Sequence, residues 1–256
     1  MTPNRKRIYG SQSGFLIGDR VHTASSTACL RNILVSAYGI SGDFPEYIRV
    51  LGDLNERNYE EKLKAENVIY IREKPVKLPV ENFDILFSGR IDFETADGTG
   101  KCVHELKSVS SEYVRKNTIR YGKYKPENLA QCVAYMIRTE TDIGKLVYTF
   151  YEDAKTANPV QQESRVFDIT LDAKGTIFVD AKPTIYTVQD QIRFQFVAAQ
   201  VLSEPQVYHR PFNWDSKWGS PCKFCDYKGI CEKWDLGEVS SSIEFLEQCE
   251  QSIKKE

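Results

Sequence analysis

Several features that would point to membranes or secretion are missing from this 256-residue sequence. It has no apolar run of about 18 to 20 residues, the length that a membrane-spanning helix needs. Its first residues do not follow the signal-peptide pattern, and neither internal repeats nor low-complexity tracts are evident. These absences predict a soluble protein of the cytoplasm of a bacterial, archaeal or virus-infected cell, without membrane contact.

An excess of basic residues is also missing. The chain has 34 Lys and Arg against 36 Asp and Glu, for a formal charge of −2, so the overall charge does not indicate a nucleic-acid partner. The hydrophobic content of 41% is high enough to bury a substantial core. The length therefore predicts either one large domain or a core with a small appendage.

A β-hairpin is predicted in the middle of the chain. The stretch from Asp84 to Phe93 is rich in Ile, Leu and Phe, and a Gly-rich turn separates it from Lys101 to Val109. Strand side chains alternate between the two faces, so Glu105 and Lys107 point to one side of the second strand. Asp92, on the first strand, can then meet Glu105 across the pair.

This hairpin carries the groups that metal-assisted phosphodiester cleavage requires. Two carboxylates, Asp92 and Glu105, can hold Mg²⁺ or Mn²⁺ and leave positions for water and phosphate. Lys107 can stabilise the charge on phosphate oxygens or hold the attacking hydroxide. The alternative is a surface hairpin whose Asp, Glu and Lys form a solvated face.

Three of the seven cysteines lie close together near the C-terminus: Cys222, Cys225 and Cys231. Iron-sulfur clusters and structural zinc both use about four thiolates, so a fourth ligand must come from elsewhere. The remaining cysteines are Cys29, Cys102, Cys132 and Cys249.

Cys29 is the predicted fourth ligand. It lies in a segment, Val21 to Tyr38, that is predicted to be a short helix, and it would tie the two ends of the chain together. Cys102 and Cys132 are expected to pack as small apolar groups beside the hairpin, and Cys249 lies in a charged tail. A zinc knuckle remains an alternative, as does a disulfide with a spare thiol, although nothing else indicates an oxidising compartment.

A helix beginning near Pro126 follows the hairpin, because proline is favoured in a first helical turn. Gln131 and Tyr135 are four residues apart and therefore share a face. From spacing alone, a solvated stripe is the better interpretation of these two residues. The opposite face would pack on the sheet through Leu129, Val133 and Met136.

These motifs together resemble the RecB-type branch of the PD-(D/E)XK nucleases, and within it the iron-sulfur exonucleases of the CRISPR-associated Cas-four family. The resemblance spans most of the chain and keeps the family's motif order. The matching segments are Cys29-Leu-Arg31, Gly89-Arg-Ile-Asp92, Glu105-Leu-Lys107, Gln131-Cys-Val-Ala-Tyr135 and the triad Cys222, Cys225 and Cys231.

The resemblance implies a 4Fe-4S cluster held by Cys29 and the C-terminal triad, with a structural role. It also implies Mg²⁺ or Mn²⁺ at Asp92 and Glu105, with the main-chain carbonyl of Leu106 as a further ligand. Gln131 and Tyr135 would then hold the substrate backbone or orient Lys107. One element departs from the family pattern: the usual Gly-His ahead of the Asp strand is replaced by Gly52-Asp-Leu-Asn-Glu56. Relatives with a Glu at this place suggest Glu56 as the third carboxylate.

A basic stretch lies next to the predicted catalytic lysine. From Lys101 to Lys125 the sequence has seven Lys or Arg against two Glu, interleaved with tyrosines. Basic residues neutralise phosphates and aromatic rings stack on unpaired bases, so this stretch is a candidate path for single-stranded DNA. A solvated loop explains the composition equally well. The residues expected to contact DNA are Arg115, Lys116, Arg120, Tyr121 and Lys123.

The expected fold is α/β, with a restriction-endonuclease-like core in which helices flank a mixed β-sheet. The expected organisation is an N-terminal helical segment (1–50), a nuclease core (51–205), a cysteine cluster region (206–236) and a tail (237–256). The tail is expected to be a short amphipathic or frayed helix, partly disordered, whose Ile243, Phe245 and Leu246 could dock on a partner.

The predicted function is metal-dependent DNA exonuclease activity on single-stranded ends, in CRISPR spacer acquisition or in recombination and repair. An integrase or helicase is a possible partner, and any motor must be a separate chain because no helicase phosphate-binding loop is present. Two other classes stay open: a non-cleaving iron-sulfur DNA-binding subunit and a zinc-stabilised interaction domain. The sequence leaves open the cleavage polarity, the strand preference, DNA versus RNA, the biological context and the oligomeric state.

Overall fold

A computed structural model describes residues 15–17, 20–22, 31, 34–35, 46–80, 82–83, 86–97, 100–156, 158–203 and 227–253. The helices with full bounds are α1 (Glu46–Ala65), α2 (Glu112–Tyr121), α3 (Pro126–Thr139), α4 (Val188–Ser203), α5 (Lys228–Asp235) and α6 (Ser242–Ile253). The strands are β1 (Phe15–Ile17), β2 (Arg20–His22), β3 (Ile69–Pro79), β4 (Leu86–Asp97), β5 (Gly100–Val109), β6 (Ile143–Glu152), β7 (Val160–Leu171), β8 (Thr176–Val179) and β9 (Lys182–Thr187).

Seven strands form one mixed sheet in the order β3-β4-β5-β6-β7-β8-β9, and β1 pairs with β2 separately. Strand β5 runs antiparallel to β4 but parallel to β6. A parallel pair needs a crossover connection, and α2 and α3 lie in the connection between β5 and β6. The remaining pairs from β6 to β9 are antiparallel. The mixed sheet flanked by helices, expected from the sequence, is confirmed.

The chain divides into two compact units. The core unit comprises residues Asp43–Val76 and Arg90–Val188. The terminal unit comprises the described parts of Met1–Gly42, Lys77–Gly89 and Gln189–Glu256. The predicted hairpin and the helix after it belong to the core unit, and the C-terminal helices α5 and α6 belong to the terminal unit.

Helices cover the two faces of the central strand β5 in the core unit. Helix α1 packs on β5, and α3 packs on both β5 and β6. On the α1 side, a buried apolar cluster consists of Leu63, Phe93, Leu106 and Val147. Every side chain of α3 from Leu129 through Met136 is buried. The alternative in which Gln131 and Tyr135 lie on a solvated stripe is therefore wrong.

Local sequence signals set the limits of α2 and α3. The side chain of Ser111 accepts a hydrogen bond from the Val114 amide at the start of α2, and Gly122 ends this helix in the left-handed conformation, at φ 60°. Helix α3 has Pro126 in its first turn, as expected, and ends at Glu140, also left-handed. The segment that contains α2 was expected to be either a solvated loop or a DNA path, and its centre is helical.

The terminal unit corrects two sequence expectations. The segment from Val21 to Tyr38 was expected to be a helix, but Arg20–His22 forms strand β2; residues 31, 34 and 35 are helical, and the rest lies outside the described residues. The tail contains the ordered helix α6, in which Phe245 and Leu246 are buried. Trp234 packs edge to face on Phe245, with ring centroids 5.8 Å apart. Phe245 and Leu246 thus pack inside the terminal unit and are not exposed to a partner.

Among the helices that the structure describes, none is both long enough and apolar enough to cross a membrane.

Candidate active site

The register of the β4–β5 hairpin brings the predicted catalytic residues together. Phe93 pairs with His104, and continuing this antiparallel register places Asp92 opposite Glu105. At this point the Asp92 side chain accepts a hydrogen bond from the backbone amide of Leu106, at 2.7 Å. The carboxylate of Asp92 is therefore fixed by the backbone of the strand that carries Glu105 and Lys107.

Glu105 and Lys107 form a tight ion pair on the α3 side of the sheet. The Lys107 Nζ atom donates to Glu105 Oε1 at 2.6 Å. Glu105 is 1% exposed. Its second oxygen, Oε2, is buried and has no hydrogen-bond partner within the described part of the chain. A buried carboxylate oxygen without a partner is costly, so this atom can accept a ligand that the described residues do not supply.

Helix α3 extends this arrangement into a hydrogen-bonded chain. Lys107 Nζ also donates to Gln131 Oε1 at 3.0 Å, and Gln131 Nε2 donates to the Tyr135 hydroxyl at 3.2 Å. Two of the three ammonium protons of Lys107 are thus used. The amide of Gln131 thus contacts the lysine head group, and its orienting role stays a prediction.

Burial and mutual repulsion raise the proton affinity of the two carboxylates. Removal from water, together with the negative charge of Glu105, raises the pKa of Asp92 well above its usual range. Burial also raises the pKa of Glu105, although Lys107 opposes this effect. Burial lowers the pKa of Lys107, but the charges of Glu105 and Asp92 outweigh this and raise it overall. Lys107 therefore stays charged, and a divalent cation would relieve the repulsion between the carboxylates.

The third predicted carboxylate is engaged elsewhere. Glu56 lies on α1, and its Oε2 atom accepts from an Arg72 guanidinium nitrogen at 3.0 Å. Its negative charge is close enough to raise the pKa of both Asp92 and Glu105. Among the described residues, no three His, Cys, Asp or Glu side chains converge into a ready metal site. The role of Glu56 as a ligand, like that of the Leu106 carbonyl, stays a prediction.

The residues present nevertheless fit a divalent cation. Hard cations bind carboxylate oxygens and water, and the unpartnered Oε2 atom of Glu105 supplies one such oxygen. Asp92 supplies a second carboxylate, whose pKa is raised chiefly by burial and then by the charge of Glu105. Two carboxylates would leave the other coordination positions of such an ion to water or substrate.

His104, the residue before Glu105 on β5, has a structural role. His104 points to the α1 side, where its Nδ1 atom bonds to the Tyr59 hydroxyl at 2.7 Å and its Nε2 atom to the Thr95 hydroxyl at 2.8 Å. Burial, with the positive charges of Lys145 and Lys62, lowers the pKa of His104 to about 4. Both ring nitrogens are engaged in hydrogen bonds and the ring is neutral. His104 therefore does not replace the metal-binding histidine that the resembled nucleases carry ahead of the Asp strand.

Three of the four predicted cluster ligands, Cys29, Cys222 and Cys225, lie outside the described residues. The fourth, Cys231, is buried on α5 of the terminal unit. Arg31, two residues after Cys29, is also buried, and it bonds to the sulfur of Cys231 and to Asp235. A residue close in sequence to Cys29 thus contacts Cys231. The cluster itself remains a prediction.

The other cysteines are packed in the interior to different degrees. Cys132 is fully buried in the core unit, as expected for a small apolar group, whereas Cys102 is only partly buried. Cys249 was assigned to a charged tail, but it is fully buried in the terminal unit.

The residues predicted to contact DNA lie on or just after α2. Arg115 forms ion pairs with Glu163, at 2.8 Å, and with Glu112, and Lys116 is 3.7 Å from Glu112. The ring of Tyr121 is 60% exposed, and the charges of Arg120 and Lys123 lie 5.5 and 5.8 Å from its centroid. An exposed aromatic ring beside two cations is suited to stacking on bases and contacting phosphates.

Sequence reasoning missed Arg72, which lies on β3. It donates to Glu56 and, at 2.8 Å, to Glu60, so it links two carboxylates of α1. The signal in the sequence was the four-residue spacing of Glu56 and Glu60, which puts both on one helix face. Two carboxylates on one helix face are stabilised by a nearby cation. The sequence did not predict that β3 would supply this cation to α1.

Comparison with family models gives no match, and no curated protein matches either. Solved structures give distant matches. The crystal structure of SSO0001 is 17% identical, with a TM-score of 0.47, over 89% of each chain. An alkaline exonuclease, LHK-Exo from Laribacter hongkongensis, is 12% identical, with a TM-score of 0.40, over 61% of this chain and 78% of that chain.

The same exonuclease in complex with dAMP gives a TM-score of 0.34 at 15% identity, over 52% of this chain and 67% of that chain. Similarities this distant carry no argument about this chain. The assignment of the site therefore rests on its own geometry.

Proposed function

We propose that the protein is a metal-dependent deoxyribonuclease whose centre is Asp92, Glu105 and Lys107. The observation that carries this proposal is the buried Glu105 carboxylate, which has one oxygen on Lys107 and the other without a partner in the described chain. A structural ion pair would satisfy both oxygens. A metal centre leaves one oxygen for the ion.

Asp92 and Glu105 would hold Mg²⁺ or Mn²⁺, with the Leu106 carbonyl and Glu56 as further ligands. The ion, when bound, lowers the pKa of a water molecule and neutralises phosphate charge. Lys107, held by Gln131 and kept charged by the two carboxylates, donates to the phosphate oxygens or the attacking hydroxide. Gln131 and Tyr135 keep the lysine in place and exclude other rotamers.

We further propose that the substrate is single-stranded DNA and that cleavage starts at ends. The exposed Tyr121, between Arg120 and Lys123, supports this, since stacking on unpaired bases does not depend on sequence. Arg115 and Lys116 belong to the same helix, but their ion pairs with acidic residues make them weaker candidates. CRISPR spacer acquisition or recombination, beside an integrase or helicase, is the proposed context.

The terminal unit would hold a 4Fe-4S cluster through Cys29, Cys222, Cys225 and Cys231. The bond from Arg31 to Cys231 supports this, because it brings the chain next to Cys29 against the fourth ligand. The cluster would stabilise the fold and play no part in hydrolysis, which transfers no electrons. Zinc in the same site is the alternative.

A second function is a non-cleaving DNA-binding subunit with the same fold. Two observations favour it: Glu56 is paired with Arg72, and no three potential ligands converge among the described residues. Such a protein would bind DNA without using Asp92 and Glu105 for cleavage.

Degradation of end-labelled single-stranded DNA distinguishes the two functions. Anaerobically purified protein with Mn²⁺ is compared with Lys107→Ala on the same gel. The nuclease proposal expects cleavage by the wild type and none by the variant. Cleavage by both proteins would place the centre elsewhere. Cleavage by neither, from protein with intact cluster absorbance, would favour the binding subunit.

A further inference from the structure

The turn that joins α2 to α3, residues 121–125, is fixed by hydrogen bonds at both ends. At its start, Gly122 adopts the left-handed conformation and its amide donates to the Asn117 carbonyl of α2. At its end, the Lys125 amide donates to the Tyr148 hydroxyl at 3.0 Å. This α2–α3 turn therefore has a defined backbone rather than that of a loose surface loop.

Tyr148 of β6 holds the α2–α3 turn through both its hydroxyl and its ring. The side chain is fully buried, and its hydroxyl also accepts from Asn128 Nδ2 at 2.8 Å. Its ring packs edge to face on Phe167, with centroids 5.9 Å apart. Phe167 in turn packs edge to face against Tyr124 of the turn, at 5.5 Å. One buried tyrosine thus fixes the end of the turn and the first turn of α3.

This anchor lies beside the candidate catalytic lysine. Lys107 pairs with Tyr148 in the parallel register of β5 and β6, and neighbouring strands are about 4.8 Å apart. Gln131 of α3 bonds to Lys107. Asn128, three residues earlier on the same helix face, bonds to Tyr148. The α2–α3 turn is therefore attached to the sheet one strand away from Lys107, within the core unit.

The α2–α3 turn presents an exposed ring and two cations. The charges of Arg120 and Lys123 lie 5.5 and 5.8 Å from the centroid of the exposed Tyr121 ring. The ion pairs of α2 are made by Arg115 and Lys116. In the part of the chain that the structure describes, neither Arg120 nor Lys123 pairs with an acidic side chain. Both charges are thus available to phosphates, and the ring is available to a base.

We propose that the α2–α3 turn is a preformed subsite for one unpaired nucleotide that flanks the scissile phosphate of single-stranded DNA. Tyr121 stacks on the base, and Arg120 and Lys123 bind the adjacent phosphates. Tyr148 is the positioning residue that holds this subsite next to Lys107. This inference rests on the proposed function. A subsite that is already ordered loses little conformational entropy when DNA binds, so the anchor contributes to affinity without touching the substrate.

Tyr148→Phe tests the anchor, because it keeps the packed ring and removes the acceptor of the Lys125 amide. Binding of a fluorescent single-stranded oligonucleotide should weaken roughly three- to tenfold, the size expected for the loss of one or two buried hydrogen bonds. Tyr121→Ala should weaken binding about fivefold or more. If the anchor acts through the Tyr121 ring, the double variant should bind less than twofold more weakly than Tyr121→Ala alone. Anisotropy titration in Ca²⁺, which replaces Mn²⁺ to limit cleavage, measures all three.

Two tyrosines provide matched controls. Tyr151→Phe removes another buried hydroxyl of β6, one that donates to Asn55. Tyr113→Ala removes an exposed ring from the other end of α2, and that ring has no cation over it among the described residues. Each control should change oligonucleotide affinity less than twofold.

Gly122 allows the same test from the other end of the α2–α3 turn, even if Tyr148→Phe folds poorly. The left-handed backbone at φ 60° is unfavourable for alanine, whereas asparagine adopts it more readily. A Cβ atom at this position has no atom within 4 Å, so steric contact does not separate the two substitutions. Gly122→Ala should therefore weaken oligonucleotide binding, and Gly122→Asn should bind as tightly as the wild type within about twofold.

Binding and cleavage, measured on the same proteins, distinguish this inference from the proposed function. If Tyr121→Ala binds like the wild type, or the wild type does not bind the oligonucleotide, the subsite is overturned; cleavage that depends on Lys107 would still support the nuclease. If Tyr148→Phe melts at a lower temperature but binds normally, its role is structural and the positioning role is overturned. If binding depends on Tyr121 and Tyr148 but the wild type does not cleave, the subsite stands and the nuclease proposal is wrong.

Discussion

Three charged side chains, Asp92, Glu105 and Lys107, share a site from which most water is excluded. Lys107 compensates one carboxylate directly, at 2.6 Å from Glu105, and the second carboxylate is held by a backbone amide. The metal-free site therefore contains more negative than positive charge in a medium that stabilises charge poorly. Such a site reduces the stability of the metal-free protein and gains free energy when a cation binds.

Asp92→Asn tests how much the excess negative charge lowers the stability of the metal-free protein. At pH 8 the neutral side chain can still accept the Leu106 amide, but it removes the repulsion with Glu105, so the metal-free variant should be more stable by about 1 kcal/mol or more. The raised pKa of Asp92 means that its destabilising charge is present at high pH and disappears as the pH falls through that pKa. The difference should therefore shrink on acidification. Thermal unfolding at several pH values measures it.

Mn²⁺ provides the control for Asp92→Asn. It should raise the melting temperature of the wild type but not of the variant. A variant less stable than the wild type at pH 8 would contradict the charge account.

His104 should act in the opposite direction with pH. Its folded-state pKa of about 4 lies below the unfolded value of 6.5, so the stability it contributes is complete above pH 6.5 and is lost as the pH falls toward 4. The loss between pH 7 and pH 4.5 should be about 2 to 3 kcal/mol. Urea unfolding of the wild type and of His104→Gln at both pH values isolates this contribution. An equal loss in both proteins would show that His104 does not cause it.

At the scale of elements, the β4–β5 hairpin and helix α3 carry the site. Alternation along β5 sends Glu105 and Lys107 to α3, and His104 and Leu106 to α1. Helix α3 must lie close to β6 for this arrangement, and Gly144 on β6 permits it. A Cβ atom at this position would lie 2.6 Å from Met136 Sδ and 3.2 Å from Cys132 Sγ.

Alanine at two glycines should therefore have opposite effects. Gly144→Ala should destabilise the protein by about 1 to 3 kcal/mol, because Met136 is fully buried and has little room to move. Gly52→Ala, in helix α1 with no atom within 4 Å of the new Cβ, should stabilise it by about 0.5 to 1 kcal/mol. Denaturant unfolding of the two variants gives both values. Similar effects in the two variants would disprove the close packing of α3 on β6.

The sequence was sufficient for elements with strong local signals. The Gly-rich turn predicted the hairpin, Pro126 predicted the start of α3, and alternation placed Glu105 and Lys107 together. It was not sufficient where long-range packing decides. The pairing of Glu56 with Arg72 and the burial of Phe245 depend on which elements meet, and neither spacing nor composition contains that information.

At the scale of the whole molecule, the two compact units contain the residues of different proposed sites. The residues of the candidate centre all belong to the core unit, whereas Arg31, Cys231 and helices α5 and α6 belong to the terminal unit. The buried contact from Arg31 to Cys231 joins distant parts of the sequence within the terminal unit. A metal cluster at this point would contribute its binding free energy to the folding of that unit.

Cys225→Ala should remove the cluster and leave the chemistry of the core unit intact. We expect the variant to lose its brown colour and iron, and to unfold at a lower temperature. Cys132→Ala is the matched control, because this buried thiol belongs to the core unit and should leave the iron content unchanged. Iron and zinc analysis of both proteins measures the result. Full iron content in Cys225→Ala would refute the ligand assignment. A colourless wild-type protein that contains zinc would show that the bound metal is zinc and not iron.

Asp92 and Glu105 are proposed to bind a divalent ion through the Glu105 oxygen that has no hydrogen-bond partner in the described part of the chain. Anomalous diffraction from crystals grown with Mn²⁺ tests this proposal most directly. The account expects a manganese peak at coordination distance from Glu105 Oε2 and the Asp92 carboxylate, with Lys107 still bonded to Glu105 Oε1. A peak elsewhere, or no peak between these carboxylates at saturating Mn²⁺, would contradict it.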